Sequence, residues 1–255
     1  MKDSSLRLQD KNVLLVGPFG GITQAVLRTL TEFGASVGYI SEESASRYVD
    51  GVNEAREVHS HYGRAAHYNM PLSSDAQIQD ALASVVGTLG RMDVLIDATP
   101  LAWNASTDPS LASATCLGLA EKLVPFFLAK QRGRIVYLLE DPSLEILRPG
   151  GVAAGCREVL SSMIEDLAAK YRTQNITVNA LSVGVTDDFI LRINPKIPSL
   201  KRAFEELQKS HLGLKLVELN DVSLSAAYLS SALSASLTGQ MLRLTHGFHI
   251  PNVRS

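Results

Sequence analysis

Residues 12–23 read NVLLVGPFGGIT, a short and largely apolar run stopped by a glycine turn. Runs of that length bounded by glycine mark a strand buried on both faces. Beyond the turn, Ile22, Val26, Leu30 and Phe33 recur at helical spacing, and Gly34 follows as a stop. The alternation continues through the chain. Residues 36–40, 93–96, 134–139, 176–181 and 241–244 read as further strands. Residues 42–62, 73–88, 117–131, 151–172 and 221–232 read as helices, the second opened by Ser73 or Ser74 as N-cap. Short apolar strands separated by helices imply a parallel sheet covered on both faces. The right-handed crossover rule then predicts an α/β fold: a single-domain, doubly wound Rossmann-type sheet.

Composition narrows the class. The chain has 255 residues, 45% apolar and 20% charged, with a formal net charge of −2. That length and apolar content suit one domain with a sizeable core and exclude intrinsic disorder. Two cysteines, Cys116 and Cys156, do not make a disulfide scaffold and point to a reducing, cytoplasmic setting. No basic block suggests nucleic acid, residues 1–11 contain no apolar leader, and no uninterrupted apolar run suggests a membrane partner. His59 and His61 fall on opposite sides of a helix end, and His246 and His249 have no cysteine or acidic neighbour, so no metal site is expected.

Five segments in order give the chain a resemblance to the short-chain dehydrogenase/reductase family over about residues 8–250. They are GPFGGIT at 17–23, MDVLI at 92–96, GRIV at 133–136, VNALSVG at 178–184 and LTGQMLRLTHGF at 237–248. The resemblance implies a nicotinamide cofactor, NAD or NADP, held by Gly17, Gly21, Ser41 and Ala98. It also exposes departures from the family pattern. Thr23 stands where the glycine motif T-G-x-x-x-G-x-G has its last glycine. Ser41, followed by Glu42 and Glu43, stands where an acidic residue ordinarily binds ribose hydroxyls, so neither NAD nor NADP is favoured. The family's N-N-A-G becomes Ile96-Asp97-Ala98-Thr99.

The departures concentrate in the catalytic set that the resemblance implies. In the family a Tyr exchanges the proton at the carbonyl oxygen, a Lys lowers its pKa and a Ser polarises the carbonyl. Those positions fall on Ala153, Arg157 and Glu140, and no Tyr lies between Tyr137 and Tyr171. Tyr137 is on the strand itself and is expected to face away from Glu140. The nicotinamide-contacting Thr becomes Asp188, beside Asp187.

Three readings stay open. The first is a non-catalytic partner or ligand-binding subunit, with Glu140 and Arg157 forming an ion pair across a vacated cleft. The second is an enzyme with reassigned, non-redox chemistry, in which Glu140 acts as base, Arg157 holds an anion and Asp188 lines the cleft. The third is an atypical NAD(P)-dependent oxidoreductase. Residues 186–215, rich in Phe, Leu and Ile, stand in place of the family's substrate lid. Helices 117–131 and 151–172 supply the family's usual dimer surface. A homo-oligomer, dimer or tetramer, or a hetero-oligomer with an active homologue is therefore expected.

Overall fold

The computed structural model describes residues 6–41, 64–104, 106–147, 154–187, 189–190, 200–210 and 214–250. Seven strands form one parallel sheet: β1 Asn12–Val16, β2 Ser36–Ser41, β3 Arg64–Asn69, β4 Val94–Asp97, β5 Gly133–Glu140, β6 Ile176–Val183 and β7 Gln240–Leu244. Their spatial order is β3-β2-β1-β4-β5-β6-β7. The described helices are α1 Gly21–Glu32, α2 Asp75–Leu89, α3 Pro109–Lys130, α4 Ala154–Tyr171, α5 Leu200–Ser210 and α6 Leu219–Ser230.

Alternation along the strands builds two cores. Leu14, Val16, Leu95, Ile135, Tyr137 and Val178 pack with residues of α2, α3 and α4. Val13, Leu15, Ile96, Val136, Leu138 and Leu181 pack with residues of α1 and α6 on the other face. Burial on both faces explains why these strands read as continuous apolar runs. A third, smaller cluster joins Leu144, Val185, Phe189, Ile190 and Leu214 to Phe204 and Leu207 of α5. It gathers the described part of the lid-like segment 186–215 beyond the ends of β5 and β6.

The sheet turns back on itself between β1 and β4, since β2 and β3 lie to one side and β4 to β7 to the other. Crevices for ligands open at such a switch point, beyond the carboxyl ends of the strands. Gly17 makes that geometry possible. Its φ is +147°, and a Cβ there would lie 2.8 Å from the backbone of Ala98. The turn after β1 therefore touches the end of β4.

Two features differ from expectation. β3, RAAHYN, is an edge strand with partly exposed side chains and no apolar run to announce it. Helix α3 begins at Pro109, eight residues before the expected start at 117. Asp108 caps it through Oδ1, which accepts the N–H groups of Ser110 (2.7 Å) and Leu111 (3.2 Å), and Pro109 occupies the first turn, where its missing N–H costs nothing. By length and mean hydropathy (1.4) α3 is long and apolar enough to cross a membrane. Its buried residues Cys116, Leu119, Leu123 and Phe127 pack in the core, as in a core helix of a folded domain. The helix expected at 42–62 lies outside the described residues, as do Glu42, Glu43, His59 and His61.

Candidate functional site

The glycine turn is closed by its own side chains. Gly17 donates its N–H to Ile40 O at 3.0 Å, and Tyr39 donates its hydroxyl to Gly17 O at 3.2 Å. Pro18 follows and has no N–H to offer. Thr23, in the first turn of α1, is buried. Its hydroxyl lies 2.7 Å from Pro18 O and 3.0 Å from Gly20 O as donor, and it accepts the Gly20 N–H at 3.1 Å. The residue that replaces the last motif glycine thus spans the turn from inside.

At the end of β2, Ser41 is buried with its Oγ 2.8 Å from Nε2 of His67 on β3. His67 stacks on Tyr39 at 5.1 Å between ring centroids, with Phe19 of the glycine turn at 6.1 Å. Burial lowers the His67 pKa, which favours the neutral ring. Neither His67 nor this aromatic group was anticipated, because β3 was not.

Past β4, Asp97 is fully buried and Thr99 folds over it. The Thr99 hydroxyl donates to Asp97 Oδ1 at 2.7 Å and the Thr99 N–H to the same atom at 2.9 Å. Asp97 Oδ2 has no hydrogen-bond partner. Burial raises the Asp97 pKa against the opposing pull of Thr99. Burial, then the charge of Asp97, pushes the neighbouring Cys116 thiol well up, so this cysteine is unsuited to nucleophilic work. Cys156 is also a free, buried thiol.

These elements enclose a cavity of about 430 Å³ at the switch point. Gly17 and Ser41 line it, joined by Leu72, Thr99, Trp103, Asp108 and Thr115. Gly21 heads α1, and Ala98 is the wall behind Gly17. Trp103 is buried in the core and also faces the cavity.

The expected catalytic positions lie elsewhere. Glu140 ends β5, buried and level with Val183 of β6. Tyr137 belongs to the core on the α3 side, as its place in the strand requires. Arg157, in the first turns of α4, does not take Glu140 as its partner. It donates from Nη2 to Glu145 Oε2 at 2.6 Å, because the short helical turn Pro142–Ile146 brings that carboxylate to it. Neither Glu140 nor Arg157 lines the cavity, and Ala153 and Asp188 lie outside the described residues. His249 pairs with Thr245 Oγ1 at 2.5 Å, and no group of three or more potential metal ligands occurs among the described residues.

Beside Glu140, Asp141 binds Arg243 of β7 in a two-pronged pair, Nε to Oδ2 at 2.7 Å and Nη2 to Oδ1 at 2.8 Å. Ser182 of β6 donates to Oδ2 at 2.7 Å. The pair ties together the ends of three strands below the lid cluster.

A nicotinamide dinucleotide makes separate demands on these residues. Its nucleoside end needs a concave, mixed surface, and the cavity supplies one. Its diphosphate needs N–H donors and positive charge near the glycine turn. Pro18 has no N–H, the Gly20 N–H is taken by Thr23, and no Lys or Arg lines the cavity among the described residues, so the first-turn N–H groups of α1 are what the turn offers a diphosphate. The described residues therefore fit a nucleoside-sized group and offer a diphosphate fewer donors than an open glycine turn would.

Comparison with known proteins agrees with the fold. A family model described as enoyl-(acyl carrier protein) reductase matches residues 17–249. The 3-oxoacyl-[acyl-carrier-protein] reductase of Thermotoga maritima is 24% identical over 260 residues, covering 96% of this chain and all of that protein. The NADH-dependent enoyl-[acyl-carrier-protein] reductase of a Nostoc species is 24% identical over 96% of this chain and 98% of its own. Among solved structures, a short-chain dehydrogenase/reductase from Mycobacterium marinum superposes with a TM-score of 0.76 at 18% identity, covering 96% of this chain and 98% of that one. The motif order, the seven-stranded sheet and these matches agree: the chain belongs to the short-chain dehydrogenase/reductase family.

Proposed function

We propose that this protein is a non-catalytic member of its family, acting as a partner or ligand-binding subunit and not as a carbonyl reductase. One observation carries the reading. Arg157, at the position of the family's catalytic lysine, is committed to Glu145 at 2.6 Å. A guanidinium held in that pair is turned toward a carboxylate whose charge offsets its own, which weakens its pull on any neighbouring proton donor. The sequence places Ala153, which has no ionisable proton, at the tyrosine position. General acid catalysis supplies about 10²–10⁴-fold in rate, and this route lacks it.

The partner side of the reading rests on the groove between α3 and α4, where Leu117, Val159 and Met163 lie between polar rims. Val159 is 38% exposed there. A second copy or an active homologue docking its own helix pair would cover this stripe. Val159→Glu is then expected to shift the native mass toward monomer, read by light scattering.

The deciding experiment is titration with NADH and NADPH against a carbonyl panel that includes 3-oxoacyl and enoyl thioesters, the substrates that the relatives' names indicate. The expected result is no turnover above the uncatalysed rate. Turnover of any panel member by the purified protein overturns the reading.

A further inference from the structure

We infer that the amino-terminal end of the sheet, opposite the cavity, carries a site for a small polyvalent oxyanion, a phosphate or diphosphate group, built from Lys11, Arg132 and Arg134. The inference stands apart from the proposed function, since none of the three lines the cavity.

Topology gathers these cations. Lys11 immediately precedes β1, while Lys130, Arg132 and Arg134 fall at the end of α3 and the start of β5. β4 runs between the two strands. Asp93, just before β4, joins both sides: its N–H goes to Asn12 O at 2.8 Å, and its carbonyl accepts the Arg134 N–H at 3.3 Å.

The charges there do not balance. The buried Asp93 carboxylate is already used, with Lys130 Nζ on Oδ1 at 2.6 Å and the Asn12 N–H on Oδ2 at 3.0 Å. Lys11, Arg132 and Arg134 pair with no carboxylate among the described residues. Arg134 is the costly member, because it is only 8% exposed. Its guanidinium meets backbone carbonyls alone: Nε donates to Ser231 O at 3.1 Å, and Nη1 to Gly133 O at 2.8 Å and Asn175 O at 3.2 Å. Neutral acceptors satisfy its hydrogens without neutralising its charge. Nη2 makes no hydrogen bond and still reaches solvent.

The cations sit close enough to repel. Burial, then the charge of Arg132, lowers the Arg134 pKa. Burial, then Arg132, also lowers that of Lys11, with Lys130 and Arg134 adding to the effect and Asp93 opposing it. A polyvalent oxyanion relieves that repulsion, and its acceptor oxygens suit both a guanidinium edge and an ammonium. Carbonyls beyond the helix ends take part of the charge, as Ser231 does for Arg134. The side chains of Lys11 and Arg132 make no such bond among the described residues.

The test is titration of the full chain with inorganic phosphate and pyrophosphate by calorimetry, at an ionic strength held constant with chloride. Saturable binding is expected, tighter for pyrophosphate than for phosphate. Lys11→Met and Arg132→Ala, at half-buried and exposed positions, are each expected to weaken pyrophosphate about fivefold, the effect of one charge at close range. Without phosphate both variants should melt at or above the native temperature, because each removes a like charge. Arg28→Ala, which deletes a charge on the surface of α1, is the control and should leave the affinity unchanged. No saturable binding, equal weakening in the control, or native affinity in Lys11→Met and Arg132→Ala overturns the inference. The last result would place the anion elsewhere, as at the glycine turn. Carbonyl turnover with NADH bears only on the non-catalytic reading, so the two failures are distinguishable.

Discussion

Arg243 holds Asp141 from both sides, across 102 residues of sequence, and so fixes the loop after β5 to β7. Asp141 is fully buried while Arg243 is about one-third exposed. Burial pushes the Asp141 carboxyl up, but the Arg243 fork and the hydrogen bonds from Ser143 and Ser182 outweigh it and hold the carboxyl below its usual range. Arg243→Met removes the fork and leaves a buried carboxylate with only the Ser143 N–H and the Ser143 and Ser182 hydroxyls as partners. The expected loss is about 3 kcal/mol, the low end for breaking a buried pair, because one partner is partly solvated. The pH dependence has a definite sign. A depressed folded-state pKa gives stability that is present above the unfolded carboxylate pKa and lost as pH falls through the folded one. Urea midpoints measured across the acid range should fall more steeply for the native chain than for Arg243→Met.

Asp97 has the opposite slope. Its pKa is raised by burial, and Oδ2 has no partner. Such a group contributes most below the unfolded carboxylate pKa, and that contribution is lost as pH rises through the folded value. Asp97→Asn, which restores the residue of the family's N-N-A-G, removes the ionisation and keeps the shape. The variant is expected to gain stability relative to the native chain at about pH 8 and to gain less at about pH 5. Equal melting shifts at both values would mean that Asp97 does not titrate between them in the folded protein.

The two carboxylates also show where sequence reading stops. β1, β4, β5 and β6 were legible because burial on both faces leaves unbroken apolar runs. β3 was not, since RAAHYN is an edge strand whose pairing with β2 comes from backbone and not from apolar side chains. The start of α3 carries its own signal in Asp108 and Pro109, a cap and a first-turn proline, but hydrophobic periodicity begins only at the apolar run further on. The cavity could not be read at all. Its lining comes from residues as distant as Gly17 and Thr115, and proximity between them is a product of topology. The partner of Arg157 is hidden in the sequence for the same reason. Glu140 and Glu145 are both near in sequence, and only the helical turn at Pro142–Ile146 decides between them.

Gly17 offers a test of the crevice geometry. Alanine there must adopt a φ near +147° and place its Cβ 2.8 Å from Ala98. Strain and overpacking together are expected to cost about 2–5 kcal/mol. Gly87 in α2 is the control, because a Cβ at that position meets nothing within 4 Å. Gly87→Ala should stabilise by up to about 1 kcal/mol through helix propensity. Chemical denaturation of the two variants should therefore move in opposite directions, and a Gly17→Ala chain as stable as the native one would contradict the close approach of β1 and β4.

Thr23 separates closure of the glycine turn from loss of the catalytic groups. Thr23→Val keeps the bulk and deletes the hydroxyl, leaving the Gly20 N–H without its partner. That is expected to cost about 1–3 kcal/mol. Thr23→Gly removes both hydroxyl and bulk and frees the Gly20 N–H as one more donor for a diphosphate. Its expected result is NAD⁺ affinity raised at least several-fold over the native chain, with a helix-propensity cost of about 1 kcal/mol. Replacing Glu140, Ala153 and Arg157 together by Ser, Tyr and Lys is expected to give no turnover while Thr23 is present, because a cofactor must bind before its hydride can be used. The same triple change in a Thr23→Gly background is where turnover should first be detected. NADH oxidation by the triple variant with Thr23 intact would show that the turn was never the barrier.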